Sequence, residues 1–533
     1  MGFRHYLAKE YGLHAGIDVS KGSGDLGMES HHRQSLVEIC VVYLLLMKIR
    51  ASLCLVIILW GSNLFGQETN YWFYNFGALS TIRGGIEVAG VSNTSAAFYN
   101  PGALAFMEGE YLEGQADVVS IDAIDIKNAG GDGIDINFFT VNIQPSMLAY
   151  MRRFKKNPRI VFSVGGLARY DFNNAFQMDY EQLGNYLSPA DRTDVFQGQF
   201  RYNNRTRENW IIGALGYRLS DKVGIGLAGN IFIKTTDYIK TYTANAFPEE
   251  ELVGNPESFE DLTSEAGQER LDYRALGFIF KPAANFDFDA LKLGITVSLP
   301  AINLGLLNNS AEKSQQSIRP DELLDIINIA DGKKAYSGVY KTPLSINLGG
   351  HYDFGKFDLA VSAEWFSKID RYAMIKENKN SEDLQFPPSS DPDFAIPVLA
   401  NKSVFNVGVS WQVEVKENFD YYGSFRTDHS FFDQEAINTS VDFTPIATTW
   451  DIYHFTSGIQ YSGPRTDLVL GFNYGHGRQD DYQQFVDMTG AQQENFLRGE
   501  PGNISSARYN NFSITLGFNF NIDWKKGLDT DDI

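Results

Sequence analysis

Along most of the chain apolar and polar residues alternate one by one, the period of a strand with one face in oil and the other in water. Phe512, Ile514, Leu516, Phe518, Phe520 and Ile522 share one face near the C-terminus, while Asn511, Ser513, Thr515, Gly517, Asn519 and Asn521 share the other. A second run sets Phe405, Val407, Val409, Trp411, Val413 and Val415 against Asn406, Gly408, Ser410, Gln412 and Glu414. From Phe357 onward, Leu359, Val361, Ala363 and Trp365 oppose Asp358, Ser362 and Glu364, and similar parity recurs at 223–233, 291–299, 344–354 and 468–474. Each run approaches the roughly 9 to 11 residues that a tilted membrane strand needs. A large soluble β-sandwich also alternates, but its strands average only about 5 to 6 residues. The pattern therefore favours an all-β fold, a transmembrane antiparallel β-barrel.

The links between runs test that reading, because outer-membrane barrels alternate short turns on the periplasmic side with long loops outside. Strands placed at 110–124, 136–150, 158–170, 205–218, 223–240, 268–285, 291–303, 341–354, 357–373, 402–415, 419–432, 448–461, 466–478 and 506–522 give that alternation. Short links include 219–222, 355–356, 416–418 and 462–465; long ones include 171–204, 241–267, 304–340, 374–401 and 479–505. An even count of about fourteen puts both chain ends in the periplasm.

Composition agrees and removes alternatives. A mean hydropathy of -0.24 is too polar for a bundle of spanning helices, and 14% aromatics with 49 glycines suits strands between lipid and water. The net charge of -21, with scattered Lys and Arg, argues against nucleic acid, which needs a concentrated basic surface. The stretch from Met47 reads as an export signal, with Lys48 and Arg50 as its charged start, Leu53 to Trp60 as its apolar run, and a cut near Gln67. That run is about half of the roughly 20 residues needed to span a bilayer. Residues 1–46 precede the signal and fit no export pattern, so they read as a start-site extension. Both cysteines, Cys40 and Cys54, lie before the cut, which leaves the exported chain without thiol or disulfide.

Between signal and first strand, Tyr71 to Phe106 is rich in Gly, Ala and Ser and lacks alternation. An apolar segment ahead of a barrel must be buried somewhere, and the lumen is the space available. The expected division is thus 1–46 leader, 47–67 signal, 68–109 N-terminal plug or hatch, 110–522 barrel and 523–533 periplasmic tail. Within the plug, Gly84-Gly85, Val88-Ala89-Gly90, Ser95-Ala96-Ala97 and Tyr99-Asn100-Pro101-Gly102 resemble the N-terminal signature of the FadL family. Lys341-Thr342-Pro343 and the run from Ser362 to Ser367 add collinear matches. The resemblance implies an outer-membrane transporter of long-chain fatty acids or other hydrophobic compounds, with plug rearrangement and sideways exit into outer-membrane lipid. Gly84, Gly85, Gly90, Ser95, Ala96, Asn100, Pro101 and Gly102 are then the plug signature.

Three further expectations concern function. A gap in the wall needs a break in strand pairing, and Gly165-Gly166 midway along the third strand could supply one by a bulge or kink. A cargo carboxylate would need a lumenal cation, for which Arg83 in the plug and the inward-facing Lys234 are candidates, although internal pairing is the simpler role for each. The apolar loop pieces Leu304-Gly305-Leu306-Leu307 and Leu323 to Ile329 suit a capture groove or an amphipathic helix equally. His351 and His454 have inward parity and serines are nearby, but a barrel hydrolase needs a Ser and a His held in hydrogen-bonding reach, which the sequence does not establish, so no enzyme is expected. Gly131-Asp132-Gly133-Ile134-Asp135 lacks the spacing of a calcium loop; neither metal nor cofactor is expected. The competing functions are a docking partner in a protein-secretion or surface-attachment machine and a diffusion porin, the latter disfavoured by an apolar plug.

Overall fold

The computed structural model describes residues 69–187, 193–249, 262–319, 327–335, 337–376, 393–439 and 442–522. The expected leader, signal and C-terminal tail lie outside the described residues, as do Leu323, Leu324 and Ile326. Fourteen strands form the wall: β1 (Glu110–Lys127), β2 (Ile136–Arg153), β3 (Ile160–Gly184), β4 (Asp194–Ser220), β5 (Val223–Pro248), β6 (Thr263–Phe288), β7 (Leu291–Ser298), β8 (Ser345–Asp353), β9 (Phe357–Phe366), β10 (Val404–Lys416), β11 (Phe419–Asp428), β12 (Ile452–Ser462), β13 (Thr466–Tyr482) and β14 (Ser505–Asn521). Each pairs antiparallel with the next, and β14 returns to β1 from Tyr111↔Asn521 to Lys127↔Ser506. The sheet has closed on itself, which removes edges that lipid could not satisfy.

The alternation read from the sequence sets the two faces of this wall. Ile211, Leu215, Leu227, Val361, Phe405 and Leu516 stand outward and exposed around the barrel. An apolar belt of that extent is far larger than the patches soluble monomers show, and it makes the molecule a membrane-spanning barrel. Inward positions on the same strands are buried and polar, among them Ser362, Asn406, Ser410, Ser424 and Thr515.

The links at 171–204 and 241–267 are not loops through most of their length. The pairs β3–β4 and β4–β5 run on without interruption, as Gly184↔Asp194 and Asp194↔Pro248 show. Beyond the belt the apolar face changes side. Outward Gln197, Arg201 and Asn203 meet solvent, whereas Phe196, Phe200 and Tyr202 are buried inward. The period of two persists while the sign of the alternation inverts, and a rule tuned to apolar-out strands ends too early. A smaller correction concerns 304–340. Ile327 and Ile329 belong to a strand, Ile327–Ala335, paired with Asn309–Ile318 on top of β6, so these two residues are not on an amphipathic helix. Leu306 is 71% exposed in the preceding link.

Residues 69–107 fill the lumen through short elements: α1 (Ala78–Ile82), α2 (Ala96–Tyr99) and a 3-10 turn at Ala103–Phe106. Glycines in the wall make the seat. A Cβ on Gly226 would stand 2.2 Å from the Pro101 carbonyl, on Gly294 2.0 Å from that of Val88, and on Gly458 2.2 Å from the Ile82 side chain. Backbone of the plug therefore lies directly on backbone of the wall, an approach that any side chain would prevent.

A lumenal cavity between plug and wall

Plug and wall leave a cavity of about 110 Å³ between them. Tyr71, Trp72, Tyr74, Phe98 and Tyr99 reach it from the plug, and Tyr170, Trp210, Tyr340 and Phe366 from the wall. β4 turns Glu208 and Trp210 inward because they share the parity of buried Thr206 and Ile212. The aromatic faces are locked by one another: the Tyr71 ring stacks on Phe366 at 4.2 Å, and Phe98 packs edge-on against Phe76 at 4.8 Å. Rings of this kind supply apolar area while Tyr and Trp keep a polar atom for anchoring, which suits a site for apolar or aromatic solutes.

Charged side chains enter the same space. Arg169 donates to the Tyr71 carbonyl at 2.6 Å and lies 4.7 Å from the centre of the Tyr170 ring. Lys281 donates to the Phe98 carbonyl at 2.5 Å and sits 4.2 Å over the Phe98 ring. Arg426 binds the plug backbone at Gly84 (2.7 Å) and Phe73 (3.1 Å), and also the Asn75 side chain. Glu208 accepts from the Trp210 indole at 2.7 Å and pairs with Lys234 at 3.4 Å. Glu364 accepts from Trp72 at 2.7 Å, Ser345 at 2.6 Å and Asn347 at 3.1 Å. Most of these polar residues were not singled out by the sequence, although Glu364, Thr342 and Pro343, which line the cavity, fall in the collinear family matches.

The two candidate carboxylate ligands lie elsewhere. Arg83 is committed inside the plug interface, donating to Gln412 at 2.6 Å and to the Gly90 carbonyl at 3.3 Å, with Glu87 3.7 Å away. Lys234 does point inward, 4.3 Å over the Tyr340 ring, but it lines an adjoining pocket of about 40 Å³. The signature residues seat the plug. Gly84 and Gly85 adopt left-handed φ values of 63° and 73° and also border the cavity. Asn100 ties Val88 (2.6 Å) to the wall at Ala284 (3.2 Å) while accepting from the Gly102 amide (2.9 Å). Ser95 bonds Ser80 at 2.6 Å, Ala96 is fully buried, Pro101 rests on Gly226, and Gly90 lies against the His351 ring.

Gly165 and Gly166 do not break the wall. They pair with Ala149 and Leu148 on one side and with Ile212 and Ile211 on the other. The break begins just beyond them. β2 and β3 pair only from Arg153↔Val161 to Met147↔Leu167, and no further pair joins them among the described residues. β2 continues on β1 alone and β3 on β4 alone, with register irregularities at Gln115/Ala116, Asp117/Ser120 and Ala168/Tyr170. The parted stretch of β2 carries Phe139 and Val141 outward, 63% and 58% exposed, so the seam opens within the apolar belt. Tyr74 covers it from within: its hydroxyl donates to the Asp171 carbonyl at 3.2 Å, on the very stretch of β3 that β2 has left.

Towards the loop end lie two larger spaces of about 510 and 400 Å³, sharing Lys240, Arg371 and Phe485. His351 and His454 are buried beside Asp358 (3.4 Å) and Asp428 (3.5 Å) respectively. Asp135 is occupied by Lys127 (2.8 Å) and the Asn128 amide (2.9 Å).

A backbone tether from the loop after β11 holds the first plug residues. Asn70 bridges Ser430, and the Phe431 amide donates to the Thr69 carbonyl at 2.8 Å. Next to Ser430, His429 and Asp451 are 2.9 Å apart in the loop. The hydrogen bond to Asp451 raises the His429 pKa. Burial works against the charged Asp451, but hydrogen bonds from His429 and the Ser430 amide outweigh it and hold that carboxyl below its usual range. A raised His stabilises fully below its unfolded value, near ~6.5, and loses this as pH rises through the folded value; a depressed Asp contributes above ~3.9 and loses it as pH falls. The tether is therefore expected to be firmest between roughly pH 4 and 6.5. Protease sensitivity of loop 429–439 should rise above that window, and His429→Gln should flatten the profile. An unchanged profile in the variant would dismiss the pair as its cause.

No family model and no curated protein matches the chain. Solved structures do. A Pseudomonas aeruginosa FadL homologue aligns over 85% of this chain and 99% of its own at 12% identity, with a TM-score of 0.53. The P. putida toluene transporter TodX aligns over 84% and 99% at 12% identity, with a TM-score of 0.51. Alignment over nearly the whole of both chains at so low an identity is agreement of architecture. The chain has the fold of the FadL-type outer-membrane channels, a fourteen-stranded barrel with its N-terminal segment lodged in the lumen.

Proposed function

We propose that the barrel takes up small hydrophobic molecules from outside, holds them in the lumenal cavity and releases them sideways through the β2–β3 seam. The observation that carries this reading is the position of Tyr74, which lines the cavity on one side and closes the parted seam on the other. An apolar solute crossing a polar leaflet gains from a protected apolar path and from direct delivery into lipid. That the structural neighbour TodX is a toluene transporter supports the class of cargo. Size narrows it further. An apolar cavity of about 150 Å³ admits benzene, so a space of about 110 Å³ limits the cargo to small solutes, and a single ring enters only as the lining side chains give way. A long-chain fatty acid would have to extend past Tyr71, Tyr170 and Tyr340 into the 40 Å³ pocket.

The same reading includes export, a cut near Gln67 and residues 68–109 as the gating plug, supported by the complete burial of Thr69 and Asn70 in the lumen. N-terminal sequencing of the membrane-inserted protein should start near Gln67. The decisive test is uptake of radiolabelled toluene by cells that depend on this barrel, compared with cells lacking it. Faster uptake is expected. Equal rates, together with a stoichiometric protein partner after mild extraction, would replace transport by the docking role.

A further inference from the structure

Three buried oxygen atoms beside the parted seam have no hydrogen-bond partner, and they come from β1, β2 and β3. Asp122 of β1 is 1% exposed; its Oδ1 accepts from the Tyr509 hydroxyl and from Asn511 at 2.9 Å, while its Oδ2 is left without a donor. Thr140 of β2 is the register partner of Asp122, and its Oγ1 has no partner either. Asn174 of β3 is 2% exposed, and its Oδ1 is the third such atom. Thr140 and Asn174 stand two residues from Phe138 and Phe176, whose rings face each other across the gap at 6.3 Å, so they form the next pair down the same inward face. No cation answers Asp122 among the described residues; the charge acting on it is that of Asp117, a second acid.

Burying a carboxylate without a counter-ion is costly, and each further buried oxygen without a donor adds to that cost. One group that donates to all three would relieve it. A primary ammonium has the charge that Asp122 lacks and three N–H donors for three oxygens, whereas a calcium ion demands about six to eight oxygen ligands. The neighbouring ring pair favours an ammonium that carries a ring of its own. We propose that the parted seam recognises primary aralkylamines, with Asp122, Thr140 and Asn174 receiving the ammonium and Phe138 and Phe176 packing on the ring. This rests on the transport reading and deepens it. The Tyr74 hydroxyl, which closes the seam on the Asp171 carbonyl, feels the Asp122 carboxylate more strongly than any other charge, so an amine drawn to Asp122 arrives at the exit.

The test titrates benzylamine, benzyl alcohol and toluene into the purified full-length barrel by calorimetry at neutral pH. Benzyl alcohol has the size of benzylamine without its charge. A charge-assisted contact to a buried carboxylate predicts at least about tenfold tighter binding of benzylamine than of benzyl alcohol. In Asp122→Asn that ratio should fall towards one, and in Thr140→Val and Asn174→Leu, each of which removes one acceptor, it should fall part of the way. The ratio in the unaltered chain decides the matter even if a variant fails to fold. Toluene binding with equal affinity for benzylamine and benzyl alcohol, or a preference that survives Asp122→Asn, overturns the amine site and leaves transport standing. Displacement of benzylamine by an equal concentration of calcium chloride would assign the three oxygens to a hard cation and likewise overturn it. Binding of none of the three solutes overturns both.

Discussion

Replacing Arg426 by leucine is expected to release the plug while the barrel stays folded. The side chain is 3% exposed and is the point at which β11 grips two separate parts of the plug, residues 73–75 and Gly84. Leucine would leave the Phe73 and Gly84 carbonyls and the Asn75 oxygen in a closed space without a donor. Each buried acceptor stripped of its partner costs about 1–3 kcal/mol, so the change removes several kcal/mol from a segment whose own helices are single turns. The wall does not depend on Arg426, because the backbone pairs Gly408↔Arg426 and Arg426↔His454 need no side chain. Two readouts follow. Trypsin should gain access to Arg83, now 6% exposed, and planar-bilayer recordings should change from silent to conducting. A variant that stays silent and protected would show that the glycine seat, rather than this cation, holds the plug.

That residue also marks where the sequence stopped being informative. The wall was legible because lipid imposes one rule on every strand, apolar outward and polar inward, and the placed strands coincide with β1 to β14 apart from their ends. The ends failed where the surroundings changed from lipid to water. Phe196, Phe200 and Tyr202 alternate as regularly as Ile211 and Leu215, but towards the opposite side. In the lumen no such rule operates. Arg426, Arg169 and Lys281 look in the sequence like any polar residue of an inward face, and their role depends on which plug atoms fall opposite them. The chain segments concerned are far apart, as the contact of Lys281 with Phe98 illustrates.

Gly165 and Gly166 lie within a few residues of the place where β2 and β3 part, but they do not cause the parting. Adjacent glycines signal tolerance of close approach as readily as a break, and Gly165 meets Ala149 across a continuous ladder. What parts β2 from β3 is divergence: β2 follows β1 through two irregularities, β3 follows β4 through one, and the ladder between them ends. Backbone pairing of this kind has no single-residue signature. Tyr74, whose hydroxyl reaches the Asp171 carbonyl beyond the end of the ladder, gave no signal beyond lying in an aromatic stretch.

A cross-link across the parted seam is expected to stop uptake without emptying the cavity. Phe138 on β2 and Phe176 on β3 face each other within the parted stretch, near its far end, with ring centres 6.3 Å apart, while Met147↔Leu167 fixes its lower end. Cysteines at 138 and 176 joined by a short, reducible thiol linker would pin the stretch at both ends. With the proposed cut near Gln67, chemical selectivity comes from the chain itself, because Cys40 and Cys54 both precede that cut. Uptake should fall to background on linking and return on reduction, whereas tryptophan quenching by toluene should persist throughout, since Trp72 and Trp210 line the cavity and not the seam. The same linker between positions 203 and 239, register partners on the closed β4–β5 seam, serves as the control and should leave uptake intact. If the linked protein transports as fast as the reduced one, cargo leaves by the periplasmic end and the parted seam is only a structural irregularity. A loss that reduction does not reverse would reflect damage at Phe138 or Phe176, and the two single cysteine variants, unlinked, separate that outcome from closure.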